Sequence, residues 1–202
     1  MNLRKLEDYI EKMETEMTNF IDNIDKKMLI KACNLISESK EKEGRVHITG
    51  VGKTSYVAEY IAALNSSIGT PTYFLDTTEA VHGSIGQVKE EDIVIAISNS
   101  GQTIELKNTI TALKKIGVKV IGVSGGLTSW LKDNVNVFLY AGVTHEGDEL
   151  NKPPRSSVLV EIIILQCLSI LLQQEQKLDL ETYHLYHPGG SLGESVYAQI
   201  HE

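Results

Sequence analysis

Ile93-Val94-Ile95-Ala96-Ile97-Ser98-Asn99-Ser100-Gly101-Gln102-Thr103 is the stretch on which the fold is decided. Its first five residues are apolar without alternation, the pattern of a strand buried on both faces, as in a parallel sheet. The segment that follows, Ile104 to Ile116, has helical spacing and ends at Gly117, a left-handed cap residue. The turn between them therefore sits at a strand's carboxyl end and opens a helix. Orphan backbone N–H groups and the positive dipole end favour an anion there, most often phosphate. Ser98, Ser100 and Thr103 supply donors without charge, so a phosphate can be held and still released. A helix cap needs one such residue. Three hydroxyls around Gly101 exceed that need, and the turn reads as a phosphate site.

The rest of the chain repeats this β/α alternation. Val46–Thr49 is read as a strand, Gly50–Ser55 as a turn, and Tyr56–Ile68 as a helix ending at Gly69. Strands follow at Thr72–Leu75, Val118–Val123 and Val135–Tyr140, the last after a short helix around Trp130. An apolar helix begins at Val158, and a short terminal helix is expected from Glu194. Strands separated by helical stretches imply right-handed crossovers and a parallel sheet covered on both faces. Ahead of this unit, Leu3, Leu6, Ile10, Met13, Met17, Phe20, Ile21 and Ile24 step by three and four, an amphipathic helix of about six turns. A second helix follows from Asp25. Residues 1–44 are thus a helical extension that packs on residues 45–193 or on a partner subunit, the whole of 1–202 forming one domain.

A length of 202 residues suits one well-packed domain. The formal charge of −8 argues against a nucleic-acid partner, whose phosphate backbone calls for a basic face. Cys33 and Cys167 lie in apolar helical patterns and read as buried thiols of a reducing cytosol. The N-terminus lacks a basic-then-apolar signal pattern. The run Val158–Leu172 is interrupted by Glu161, Gln166 and Ser169 and is too short to span a bilayer. A soluble, cytoplasmic protein without membrane partners is expected.

Gly50-Val51-Gly52-Lys53-Thr54 fits neither familiar glycine loop. A P-loop needs a glycine where His47 stands, inside the strand. A dinucleotide fingerprint needs one at Ser55, although Asp76 stands roughly where a ribose-binding acid belongs, which weakens that reading without removing it. Lys53 is either a solvated surface lysine or a cation for a charged ligand. Because turns at strand carboxyl ends converge on one crevice in open α/β sheets, Lys53 and the Ser98–Thr103 turn are expected on the same rim. Glu79-Ala80-Val81-His82-Gly83 and Thr144-His145-Glu146-Gly147 follow strands and belong on that rim too. His187-Pro188-Gly189-Gly190-Ser191 comes after the long helix. Each alone suits a capping acid or a turn histidine. Together they offer the base, acid and charge stabiliser that moving a proton between adjacent carbons requires. No metal-ligand spacing is complete around His145-Glu146, and neither metal nor cofactor is expected.

These segments, Gly50–Thr54, Glu79-x-x-His82-Gly83, Ile97–Gly101 with Glu105, Glu146, and His187–Gly193, resemble the sugar isomerase (SIS) domain. Within it they are most similar to D-arabinose 5-phosphate isomerases, in register from about Arg45 to Gly193. The resemblance implies a five-stranded parallel sheet flanked by helices, a three-layer, flavodoxin-like arrangement. It implies that Gly52, Thr54, Ser98, Asn99, Ser100 and Thr103 bind a sugar phosphate, with Glu79 and His82 beside it. It places Lys53, Glu105, Glu146 and His187 at the family's catalytic positions, for aldose–ketose interconversion through a cis-enediol(ate). It further implies a homo-oligomer, dimer or tetramer, in which His82 or His187 acts in trans. Many such isomerases carry a C-terminal pair of CBS modules. The sequence ends at Glu202 without them, and regulation through them is expected to be absent. Gly101-Gln102-Thr103 and the charged Thr144–Pro154 loop depart from the close relatives and leave the sugar open. The rivals are a non-catalytic phosphosugar sensor, which has no use for Lys53, Glu105, Glu146 and His187 together, and a lyase acting on an amino-sugar phosphate. A nucleotide-binding protein is more distant.

Overall fold

The computed structural model describes residues 3–201. In chain order the elements are α1 (Leu3–Asp22), α2 (Lys26–Lys40), β1 (Val46–Gly50), α3 (Lys53–Ser67), β2 (Thr72–Phe74), α4 (Thr77–Ala80), β3 (Ile93–Ile97), α5 (Ile104–Ile116), β4 (Lys119–Ser124), α6 (Trp130–Asp133), β5 (Val137–Tyr140), α7 (Ser156–Gln176), α8 (Leu180–Tyr186) and α9 (Gly190–His201). The five strands form one sheet in the order β2-β1-β3-β4-β5, with every pairing parallel. All five residues of β1 and all five of β3 are buried, and the unalternating apolar run of β3 is what a sheet covered on both sides requires.

The two faces are closed by different helices. On one, Ile48, Ile95, Ile97, Ile121 and Leu139 pack against Ile36 of α2, Ile61 of α3 and Ile164, Leu165 and Leu168 of α7. On the other, Ala96 and Val120 meet Leu106 and Ile110 of α5 and Leu131 of α6. The spacing Leu106-Ile110-Leu113 puts three buried side chains on one stripe of α5, each contributing about 1.5–3 kcal/mol of burial. Gly117 ends that helix with φ 97°, the left-handed conformation expected of it.

Four local readings are corrected. α3 begins at Lys53 rather than Tyr56, so Lys53 and Thr54 stand in its first turn. Asp76 serves as the N-cap of α4, its Oδ1 accepting from the N–H groups of Thr78 and Glu79, a duty the ribose reading does not foresee. α8 has no counterpart in the sequence reading, although Asp179 caps it through the N–H of Thr182. α7 runs 21 residues and is long and apolar enough to cross a bilayer by length and composition, unlike the shorter run seen in the sequence. Half of it is buried in the fold, where it packs against α1, α2 and α3. Of the two thiols, Cys33 is buried and Cys167 only half-buried.

The first two helices lie on this core rather than apart from it. α1 packs on α7, and α2 on α7 and β5. At the opposite end of the sheet from the glycine turns, buried Asp92 ties the amino ends of the strands together. Its carboxylate accepts from the backbone N–H of Arg45 at 2.8 Å and of Lys89 at 2.9 Å, and bonds His47 Nε2 at 3.1 Å.

Candidate functional site

β1 and β3 lie side by side, yet the chain leaves β1 outward to β2 and β3 outward to β4. Ligand crevices in open α/β sheets form outside the strand carboxyl ends at such a switch point. A crevice of about 260 Å³ opens there. The β1–α3 turn contributes Val51, Lys53 and Thr54; the β3–α5 turn contributes Ser98, Asn99, Ser100 and Thr103. The third wall is the start of α7, with Pro154, Ser157, Val158 and Glu161.

Both turns are held rigid from below. Thr54 Oγ1 accepts from the N–H of Val51 at 3.0 Å and lies 3.1 and 3.3 Å from the carbonyls of Val51 and Ile97, so this hydroxyl already staples the two strand ends together. A Cβ on Gly50 would stand 2.8 Å from the Thr54 backbone, which is why glycine ends β1. Gly52, at φ 67° and ψ −126°, adopts a conformation that side-chain-bearing residues avoid. In the second turn, Ser98 Oγ and Thr103 Oγ1 are 3.0 Å apart, and Ser98 Oγ accepts from Gly101 N–H at 3.1 Å. Ser100 Oγ accepts from Gln102 N–H at 3.2 Å. Gly52 and Thr103, the N-cap residues of α3 and α5, make no side-chain cap bond. Two helix N-termini are thus left open at one crevice beside an exposed Lys53, a field suited to an anion.

Glu146 stands behind the third wall. Only 8% exposed, it directs Oε2 to the backbone N–H of Arg155 at 2.6 Å and of Ser157 at 3.1 Å. Arg155, the N-cap of α7, makes no side-chain cap bond, so Glu146 closes that helix from outside. Its own N–H donates to Asn151 Oδ1 at 2.6 Å. The loop is further braced by α1. The carboxylate of Glu16 accepts from Thr144 N–H at 3.0 Å and, very closely, from the Thr144 hydroxyl, while Lys5 pairs with Glu149 at 2.9 Å.

The predicted residues are only partly brought together. Lys53, Thr54, Ser98, Asn99, Ser100 and Thr103 meet at the crevice, Gly52 opens α3 beside it, and Glu146 touches its α7 wall. Glu105 lies in the first turn of α5 but is exposed and not among the crevice walls. Glu79 and His82 are exposed on and after α4. His187, between α8 and α9, stacks on Tyr183 with ring centroids 4.1 Å apart and does not line the crevice.

Reading the sequence misses two functional candidates. Glu16 is hidden there among the acidic residues of α1. Glu161 figures only as a break in an apolar run, yet it is fully buried, lines the crevice, and neither carboxyl oxygen finds a hydrogen-bond partner among the described residues. Burial, and secondarily the charge of Glu146, raises its carboxyl to about 8. A lone acid inside an apolar helical run, where burial would hold it far above the ordinary carboxylate range, is the signal that the sequence offers.

The sequence matches the SIS domain over residues 40–169. The chain belongs to the SIS domain family. Arabinose 5-phosphate isomerase KdsD of Pseudomonas aeruginosa is 35% identical over 173 residues, 86% of this chain and 52% of that protein. KdsD of Francisella tularensis is 31% identical over 94% of this chain and 58% of its own length. The chain therefore spans little more than half the length of these relatives. The structure of Escherichia coli CFT073 c3406 in complex with arabinose 5-phosphate superposes with a TM-score of 0.80 at 32% identity, covering 93% of this chain and 100% of that one. The five-stranded parallel sheet and flanking helices are those of an SIS domain, as the sequence implied.

Proposed function

We propose that this SIS domain is a phosphosugar aldose–ketose isomerase, interconverting D-arabinose 5-phosphate and D-ribulose 5-phosphate or a related pair. The observation that carries this reading is the switch-point crevice, where two uncapped helix N-termini, three hydroxyls and Lys53 face one small volume with a carboxylate at its rear wall. The likeness to the KdsD isomerases and to the arabinose 5-phosphate complex supports the choice of sugar. The phosphate sits on the Ser98–Thr103 turn and the first turn of α3. Glu146 then removes the proton from C2 of the open-chain aldose and returns one to C1 of the cis-enediol(ate), while Lys53 neutralises the enediolate oxygen. His187 assists ring opening and hydroxyl proton movement, and Glu105 orients a hydroxyl or His187. His82 or His187, both of which lie off the crevice, acts across a subunit boundary in a homo-oligomer. We read the protein as cytoplasmic, with 1–202 forming one domain extended by the helices of residues 1–44.

Proton NMR of the purified protein with D-arabinose 5-phosphate in D2O tests the proposal. Ribulose 5-phosphate should accumulate with deuterium at C1, and the returning aldose should carry deuterium at C2. Solvent exchange without ketose would redirect the search to another aldose phosphate. Binding of phosphosugars without exchange or product would replace the isomerase with a sensor.

A further inference from the structure

Glu161 lines the crevice, and the reading above leaves its chemistry unused. It lies one turn below Ser157 on α7, so both face the same wall. Its carboxyl group is fully buried and without partner among the described residues, and the hydroxyls of Ser156 and Ser157 are likewise buried and unpartnered. Buried polar groups are ordinarily hydrogen-bonded, because each unsatisfied one costs stability. Three of these four unsatisfied oxygens, those of Glu161 and Ser157, belong to the wall of a ligand crevice and are therefore groups whose partner arrives from it. The phosphate is already provided for by the two helix N-termini on the opposite walls. What remains to be recognised is the polyhydroxyl chain attached to it, since a hydroxyl both donates to and accepts from a carboxyl group.

We propose that Glu161 is a specificity-determining residue of this site, its carboxyl group hydrogen-bonding a hydroxyl of the bound phosphosugar's carbon chain. The inference rests on the phosphosugar reading given above. The ionisation of the site agrees with it. Near neutral pH Glu161 holds its proton, so it donates a hydrogen bond without adding negative charge beside the phosphate and Glu146. The charged groups around it are Glu146 behind the α7 wall, Lys53 on the α3 wall, and Arg155 at the start of α7, whose side chain is engaged by Asp148 at 2.7 Å. The β3–α5 wall presents only hydroxyls and an amide. As pH rises through about 8 the carboxyl ionises, the donor is lost, and an unpaired negative charge faces the phosphosugar.

The test compares the parent, Glu161→Gln and Glu161→Leu by calorimetric titration with D-arabinose 5-phosphate and, separately, with inorganic phosphate, from about pH 6.5 to about pH 9.5, a span that brackets the Glu161 ionisation. Thermal melts serve as the check on folding. The parent should lose phosphosugar affinity above about pH 8. Glu161→Gln, a permanent neutral donor, should bind within a few-fold of the parent at neutral pH and lose that alkaline limb. Glu161→Leu should bind the phosphosugar about tenfold more weakly, the scale of one buried hydrogen bond. It should bind inorganic phosphate unchanged and melt higher, because a buried unpartnered acid has been replaced by an apolar side chain. Equal phosphosugar affinity in Glu161→Leu, or an alkaline limb persisting in Glu161→Gln, overturns the inference alone. A parent that binds inorganic phosphate but no phosphosugar overturns the functional reading and this inference with it.

Discussion

Replacing Glu146 separates a structural duty from a chemical one, because the geometry gives it the first and the proposed reaction the second. Its Oε2 takes two backbone N–H groups at the start of α7, at 2.6 and 3.1 Å, in a place that is only 8% exposed. Glu146→Ala leaves both donors unpaired, and at about 1–2 kcal/mol each the cost is about 2–4 kcal/mol. For a chain of this size that lowers Tm by roughly 5–15 °C. Glu146→Gln keeps an oxygen of the same reach, so the cap survives and only its charge is lost, worth about 1 kcal/mol. The amide cannot accept the C2 proton, however, and loss of a positioned base slows the reaction by about 10²–10⁴-fold. The assay pairs thermal melts with single-substrate kinetics on D-arabinose 5-phosphate. Near-parent stability with activity down about a hundredfold or more is expected for Glu146→Gln, and both losses for Glu146→Ala. Turnover by Glu146→Gln within about tenfold of the parent would refute the base assignment. A Glu146→Ala melt within about 2 °C of the parent, roughly 0.5 kcal/mol, would refute the capping argument.

Three further outcomes follow from other parts of the molecule. Lys53 is exposed and opens α3, so Lys53→Met should leave Tm unchanged while slowing turnover of D-arabinose 5-phosphate by about a hundredfold, with a smaller loss of inorganic phosphate binding by calorimetry. Glu16→Ala should free the Thr144 loop from α1, lowering Tm by several degrees and slowing turnover more than it weakens inorganic phosphate binding, since Glu146 stands two residues beyond Thr144. Stability should also fall in acid in two stages, measured by urea unfolding from neutral pH down to about pH 3. Burial holds His47 below its ordinary value, so the unfolded chain takes up a proton first and stability drops as pH falls below about 6.5. Burial alone would raise Asp92, but N–H donors from Lys89 and Arg45 and the bond from His47 outweigh it and hold the carboxyl low. Its contribution is therefore present above about pH 3.9 and lost below. A flat profile between about pH 7 and about pH 5 in the parent would contradict the His47 reading.

What the sequence makes legible is what local physics determines alone. β3 and α5 are readable because an unalternating apolar run and an apolar spacing of three and four admit few other structures, and Gly117 closes the helix with a conformation few other residues tolerate. The start of α3 is misplaced because its N-cap is Gly52, which marks a turn as readily as a helix. α8 escapes notice because its seven residues carry too little periodicity, and only Asp179 with Thr182 signals it. At the site, the crevice walls at Lys53 and Ser98–Thr103 follow from the rule for strand carboxyl ends. The α7 wall does not, because it enters through tertiary packing that no local pattern encodes. Glu161 and Glu16 owe their importance to that packing. The place of His187 off the crevice is likewise a property of where α8 and α9 settle, which the motif itself does not contain.

The Asp92 clamp and the crevice occupy opposite ends of the same five-residue strands, roughly 15 Å apart at the rise of a parallel strand. Substitutions that far apart with no shared partners combine additively. Changes at the rim therefore leave the Asp92 clamp at the amino ends of the strands as it is. The clamp answers for the amino ends of the strands alone, so a loop at their carboxyl ends is tested by the bonds it makes locally, such as those of Thr54 and Glu146.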